Sequence, residues 1–328
     1  MTAQHDQIPE IALDWHRAGR GAALATVIET WGSAPRPAGS QMVVDAAGRF
    51  MGSVSGGCVE GDVVIAAQEA LQTGASRLLD YGVADDTAFG LGLACGGRIR
   101  VLVEPVGHAW PDLMLADLVA ARAARQPRLY AVDLQSLQRR PIPGPQDPLW
   151  PLAEARARAD RPGIEGDCFI AVHNPGLRLL IVGAVHIAQP LCLMARACGH
   201  EVVIIDPRSA FGSAARFPGE RIVDDWPDAA LAALAPDART AVVTLTHDPK
   251  LDDPAIRTAL AAPVFYLACL GSSRTHAQRL QRLAAAGVAP ADLARIHAPA
   301  GLAIGAKSPA EIALSILAQM TQVLRQGG

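Results

Sequence analysis

The chain has 328 residues, half of them apolar and 19% charged, with a formal net charge of −3. That length suits two domains with separate cores, and the composition is that of an ordinary soluble protein. Lysine occurs only at Lys250 and Lys307, and no run of basic residues forms a patch, so nucleic acid is not an expected partner.

Residues 1–10 lack a basic stretch followed by an apolar one, and no apolar run could span a bilayer. Neither a signal peptide nor membrane contact is expected. The six cysteines, Cys58, Cys95, Cys168, Cys192, Cys198 and Cys269, form no C-x-x-C pair. They suggest neither a disulfide framework nor a zinc site, and the expected compartment is the cytoplasm, with reduced thiols.

In chain order, residues 8–18 read as a short helix and 22–30 as a β-like apolar run. A loop follows, Trp31-Gly32-Ser33-Ala34-Pro35-Arg36-Pro37-Ala38-Gly39-Ser40, stiffened by prolines and opened by glycines. Residues 41–45 and 49–54 alternate like a hairpin turning at Ala46-Ala47-Gly48. They lead into Ser53-Val54-Ser55-Gly56-Gly57-Cys58-Val59-Glu60, after which apolar residues recur at helical spacing until Gly74. Gly56 and Gly57 permit positive φ. Cys58 then stands at or just before a first helical turn, where free backbone N–H groups and the helix dipole favour an anion and a thiolate. Glu60 and Asp62 partly oppose the thiolate by like charge. The other reading of this stretch is a tight strand-to-helix turn around a buried, inert cysteine.

Residues 78–83 read as a strand. A second glycine-flanked thiol, Gly90-Leu91-Gly92-Leu93-Ala94-Cys95-Gly96-Gly97, then runs into another strand over 98–104. Cys58 and Cys95 are 37 residues apart, which fits no metal-ligand pattern, so a joint role has to come from the fold. Taken alone, Cys95 also reads as a small core residue beside a turn. Residues 111–125 look helical, and 129–134 and 167–172 look strand-like. The stretch 135–162, with six prolines and weak periodicity, reads as a connecting excursion.

From residue 177 the pattern becomes a regular β–α alternation. A strand over 177–182 is followed by Gly183-Ala184-Val185-His186-Ile187-Ala188, a helix with Ile187, Leu191, Met194, Ala195 and Cys198 on one apolar face, and a strand ending in Asp206. Asp206 lies 23 residues after Gly183, as in the βαβ unit of a Rossmann fold. Further strands over 221–223, 241–245 and 264–270 imply a parallel doubly wound sheet. Ser308, Pro309 and Glu311 form a capping box for the last helix.

The dinucleotide fingerprint is degraded, because Val185 replaces its middle glycine and a β-branched side chain there obstructs the pyrophosphate. NAD(P) stays open but disfavoured, and Asp206 is left either to a ribose or to a strand end. Thr246-His247-Asp248 and Gly271-Ser272-Ser273-Arg274-Thr275-His276 follow the fourth and fifth strands of this half, where open α/β sheets bind ligands. His247, Arg274, His276 and Lys250 suit phosphate or a similar anion. Alternatively, Asp248 and Asp252 cap one helix while Arg274 and His276 decorate another.

Gly32-Ser33-Ala34-Pro35-Arg36, Gly52-Ser53-Val54-Ser55-Gly56-Gly57-Cys58-Val59-Glu60 and Ala94-Cys95-Gly96-Gly97 resemble the N-terminal domain of the XdhC/CoxI family. Thr246-His247-Asp248, Gly271-Ser272-Ser273-Arg274-Thr275-His276 and Ile304-Gly305-Ala306-Lys307-Ser308-Pro309-Ala310-Glu311 resemble its Rossmann-like C-terminal domain. The expected architecture is α/β. An N-terminal α+β glycine-loop domain spans 1–125, a connecting region 126–176, and a Rossmann-like doubly wound parallel-sheet domain 177–328.

Members of the family are accessory factors for molybdenum hydroxylases such as xanthine dehydrogenase and carbon monoxide dehydrogenase. The resemblance implies binding of molybdenum cofactor (molybdopterin), help with its sulfuration, and delivery to an apo molybdenum hydroxylase. A cysteine desulfurase is then a further partner, and a homodimer is left open. The implied role is a maturation factor without turnover of its own. The alternative is an NAD(P)-dependent oxidoreductase using the C-terminal domain, and a nucleotidyltransferase is disfavoured by the lack of an acidic metal-binding pair. The motifs assign cofactor contacts to Ser55, Gly56, Gly57, Cys58, Glu60, Cys95, Gly96, Gly183, Asp206, His247, Asp248, Arg274 and His276, with Cys58 and Cys95 toward the metal. A soft thiolate suits a metal–sulfur centre, and a helix N-terminus suits a phosphate.

Overall fold

A computed structural model describes residues 7–32, 36–82 and 97–326. Its chain contacts separate into two units, one running to Pro175 and the other starting at Gly176.

The first unit is laid out by the alternation along β1 (Ala23–Trp31), the middle strand of a five-stranded antiparallel sheet. With β2 (Gln41–Val44), β3 (Phe50–Gly52), β4 (Arg77–Tyr81) and β5 (Arg98–Pro105), the order is β3-β2-β1-β5-β4. Ala23, Ala25 and Val27 of β1 and Ile99, Val101 and Val103 of β5 meet Val63, Ala67 and Ala70 of α2 (Glu60–Thr73). Leu24, Ile28 and Leu102 meet α1 (Ile8–Arg17) and α3 (Asp112–Ala123) on the other face. Because both faces are covered, the strand reads as a continuous apolar run. α2 stops where Gly74 takes a φ of +73° and donates its N–H to Ala70.

Residues 126–176, expected as a connector, are instead a folded part of this unit. β6 (Arg128–Asp133), β7 (Arg139–Pro141), β8 (Gly163–Glu165) and β9 (Cys168–His173) form an antiparallel sheet in the order β7-β6-β9-β8. One face packs Leu129, Ala131 and Ile170 on Ala153 of α4 (Trp150–Arg158). The other, through Tyr130, Val132, Phe169 and Ala171, joins the core shared with α1, α3 and Trp110. β7 and β8 are only three residues long and take their register from β6 and β9, so they carry no readable pattern of their own. A buried ion pair crosses the seam. Arg139 Nε lies 2.9 Å from Glu104 Oε1, and Trp110 Nε1 donates to Glu104 Oε2 at 3.1 Å.

His173, at the end of β9, stands edge-on to Trp110 and Tyr130. Burial, and then the charges of Arg139 and Arg122, push its pKa down to about 3. An unfolded chain takes up this proton near pH ~6.5. The stability contributed by the neutral ring is therefore complete above that pH and lost as pH falls toward the folded value. In urea unfolding between about pH 6.5 and pH 5, the wild type should lose ~1.4 kcal/mol more per pH unit than His173→Gln. Parallel pH profiles for the two proteins would refute this.

In the second unit, β10 (Arg178–Val182), β11 (Glu201–Ile205), β12 (Arg221–Val223), β13 (Thr240–Thr244), β14 (Tyr266–Cys269) and β15 (Ile296–His297) are all parallel. Their order, β12-β11-β10-β13-β14-β15, is the doubly wound Rossmann arrangement. α5 (Ala188–Ala197) and α10 (Pro309–Gln326) cover one face through Leu191, Ala195, Ala313 and Ile316. α6 (Pro227–Leu234), α7 (Pro249–Leu260) and α8 (Ser273–Ala285) cover the other through Leu231, Ile256 and Leu283, and the short α9 (Pro290–Leu293) leads into β15. The winding reverses between β10 and β13, which places the crevice beside Gly183 and Thr246. α10 opens with a capping box, the Glu311 N–H donating to Ser308 Oγ (3.3 Å) and the Ser308 N–H to Glu311 Oε2 (2.8 Å). Among the described residues, no helix is long and apolar enough to cross a membrane.

Candidate functional site

After β3 ends at Gly52, the chain folds back around a single side chain. Oε1 of Glu60 accepts from the Ser53 hydroxyl (2.7 Å) and from the N–H groups of Val54 (3.2 Å), Ser55 (2.9 Å) and Gly56 (3.1 Å). Oε2 accepts from the Ser55 hydroxyl (2.5 Å) and the Gly57 N–H (2.8 Å). The Ser55 hydroxyl oxygen in turn accepts the N–H groups of Cys58 and Val59, both at 3.0 Å. Burial alone would push the Glu60 pKa up. The hydrogen bonds from Ser55 and Ser53 outweigh it and hold the value down at about 2.

Two expectations change here. The N–H groups that precede α2, from Val54 to Val59, are already bonded within the turn, and the Glu60 carboxylate faces into it. The thiol itself is exposed, so Cys58 is not an inert core cysteine. Gly56 and Gly57 take φ values of +79° and +120°, and nothing stands within 4 Å of where a Gly57 Cβ would be. Among the described residues, the flank of the turn is open at Gly57. Cys95 and Gly96 lie outside the described residues. Among the described residues, no group of three or more His, Cys, Asp or Glu side chains is placed to hold a metal ion.

At the crevice of the second unit, Gly183 has a φ of +110°, and a Cβ there would come within 2.7 Å of Thr246 Cγ2. The two loops touch, and only glycine fits. Ala184 is held from both sides, its N–H donating to Asp206 Oδ2 (2.8 Å) and its carbonyl accepting from Arg216 Nη1 (2.9 Å). Asp206 also accepts the Arg208 N–H (3.0 Å), Nε (2.8 Å) and Nη2 (2.7 Å), which uses two acceptor positions on each oxygen. A ribose would have to displace one of these bonds. Val185, expected to stand in the way of a pyrophosphate, packs half-buried against the core beside α5. Asp206 and Arg216 fix the backbone of this loop at Ala184.

His247 is exposed and adopts a φ of +61°, a left-handed conformation unusual outside glycine. Asp248 caps α7 by accepting the Lys250 N–H at 2.9 Å. Asp252 is not a cap. It is buried, accepts from the Thr246 hydroxyl at 2.6 Å, and faces buried Arg279 at 3.8 Å, with burial pushing its carboxyl pKa up. Ser272 caps α8, leaving Arg274 exposed in its first turn and His276 half-buried, where burial lowers the imidazole pKa. The structure thus gathers Ser55, Gly56, Gly57, Cys58 and Glu60 into one turn, and sets Gly183 beside Thr246 with Asp206 beneath. It leaves His247 and Asp248 at the start of α7 and Arg274 and His276 in the first turns of α8. Ser53, Arg208, Arg216 and Arg279 were not foreseen as supports. Only Ser53 had a local signal, as one of two serines and a carboxylate bracketing a Gly-Gly pair.

Residues 15–82 match the profile of the XdhC and CoxI family, and residues 179–320 match that of the XdhC Rossmann domain. The chain is 32% identical over 323 residues to the molybdenum cofactor insertion chaperone PaoD of Escherichia coli (strain K12), covering 98% of this chain and 90% of that protein. It is 28% identical over 316 residues to a probable xanthine dehydrogenase component of Bacillus subtilis (strain 168), covering 93% and 94% of the two chains. A crystal structure from Bacillus halodurans, described as a xanthine dehydrogenase, aligns with a TM-score of 0.74 at 26% identity, over 98% of this chain and 96% of that one. Two profiles matched in order, and a relative at 32% identity along nearly the whole length, establish the kinship: the chain belongs to the XdhC and CoxI family.

Proposed function

We propose that this protein binds molybdenum cofactor as cargo and supports its sulfuration and its insertion into an apo molybdenum hydroxylase of the xanthine dehydrogenase type. The observation that carries the reading is the end-to-end likeness to a molybdenum cofactor insertion chaperone, which spans both units. The geometry at Cys58 supports it. An exposed thiol on a turn whose N–H groups from Val54 to Val59 are satisfied is a suitable soft ligand for a metal–sulfur centre. Cys95, with Gly96, is the proposed second thiol. The exposed His247 and Arg274, at strand ends of the second unit, are proposed contacts for the anionic end of the cargo. A cysteine desulfurase is the proposed sulfur donor, and the protein itself carries out no turnover.

Co-expression in a molybdenum-replete host, followed by purification and fluorescence of released pterin, tests the reading. The expected result is retained pterin, together with activation of an apo-hydroxylase when the loaded protein and a desulfurase are added. Purified protein with no pterin and no effect on the apo-hydroxylase would overturn it. Sub-micromolar NAD(P) affinity by calorimetry would shift the reading toward an oxidoreductase.

A further inference from the structure

We infer that Glu60 is the positioning residue of the Cys58 turn. Its carboxylate fills, as a built-in anion, the cradle of N–H groups that an external phosphate would otherwise occupy. For what Cys58 binds, the inference rests on the proposed function. For what Glu60 does, it rests on the turn itself.

A run of backbone N–H groups converging on one point is an anion site. Such a run forms here over Val54, Ser55, Gly56 and Gly57, and the hydroxyls of Ser53 and Ser55 join it. Its occupant comes from the chain, from the first residue of α2, and is only 7% exposed. The next two N–H groups, on Cys58 and Val59, go to Ser55 Oγ, whose proton goes to Glu60. Every backbone N–H from Val54 to Val59 therefore has its acceptor inside the turn.

Two consequences follow for the thiol. The Gly56-Gly57 pair would leave Cys58 loosely placed if sterics alone governed it, and the bonds to Glu60 remove that freedom. A cargo phosphate also finds no donor among the N–H groups of residues 54–59, so what this stretch offers the cargo is the thiol of Cys58.

The test uses the full-length protein, with amide hydrogen exchange over residues 54–59 and peptide-resolved alkylation of Cys58 by iodoacetamide. Cys198, also exposed, serves as the internal reference. Glu60→Ala should accelerate exchange across the turn by about tenfold or more. It should also change the Cys58 alkylation rate while leaving Cys198 unchanged. Added formate, a carboxylate small enough to re-enter the cradle, should restore protection in the variant and with it pterin retention. A role confined to general stability would not respond to formate. Inorganic phosphate should leave the wild-type turn unaffected. Unchanged exchange in Glu60→Ala, or protection of the wild-type turn by phosphate, would overturn the inference. If circular dichroism shows that Glu60→Ala does not fold, Ser55→Ala decides. It should expose the Cys58 and Val59 amides, and their continued protection would refute the scheme. Absence of pterin from the wild type would instead tell against the proposed function, with the exchange arms still deciding on Glu60.

Discussion

Cys58→Ala is expected to leave the fold intact while abolishing pterin retention and activation of the client hydroxylase. The side chain is exposed, and its backbone N–H stays bonded to Ser55 whatever the side chain is, so truncation to Ala removes a ligand and little packing. The other cysteines provide the contrast. Burial pushes the thiols of Cys192 and Cys269 up, to about 12 and about 11, which makes them poor ligands. Ala at either should retain pterin and cost about 1 kcal/mol in packing. Cys198, expected on the apolar face of α5, is exposed at its C-cap, and Ala there should change neither property. One panel of variants, read by circular dichroism and pterin fluorescence, makes the comparison. Full retention in Cys58→Ala would remove this residue from the mechanism.

The largest stability effect should come from the seam between the two sheets of the first unit. Glu104 and Arg139 are 0% and 1% exposed at the side chain and pair in a two-point fork, with the guanidinium 4.1 Å from the Trp110 ring centroid. Removing one partner strands a charge where water cannot reach it. Glu104→Leu or Arg139→Met alone should each destabilise the protein by about 3–5 kcal/mol in urea unfolding. The double variant should recover most of that loss, because two apolar side chains can replace a buried pair at little net cost. Losses under about 1 kcal/mol in the single variants would mean that the pair does not hold the seam.

The features legible in the chain were those encoded by neighbours in sequence. The helical spacing after Val59, the stop at Gly74 and the Ser308–Glu311 capping box all appear where the residues place them. So does the β–α alternation after residue 177, because each strand and helix there is long enough to show its own period. The turn around Cys58 was half legible. Its glycines and thiol pointed to an exposed, shaped loop, but the spacing did not reveal that Glu60 bends back to take its donors.

The sequence by itself therefore determined the longer, periodic elements, the family resemblance and the position of the thiol, since periodicity, caps and glycine turns act over a few residues. Only the tertiary structure decided that residues 126–176 are a sheet and not a linker. It also decided that Arg139 is a core residue, and that Asp206 holds Ala184 and Arg208. The sheet, the place of Arg139 and the Asp206–Ala184 bond all depend on partners distant in the chain, as Arg139 does on Glu104, 35 residues away. Burying a charge is favourable only once that partner has arrived, and no local pattern of residues records it.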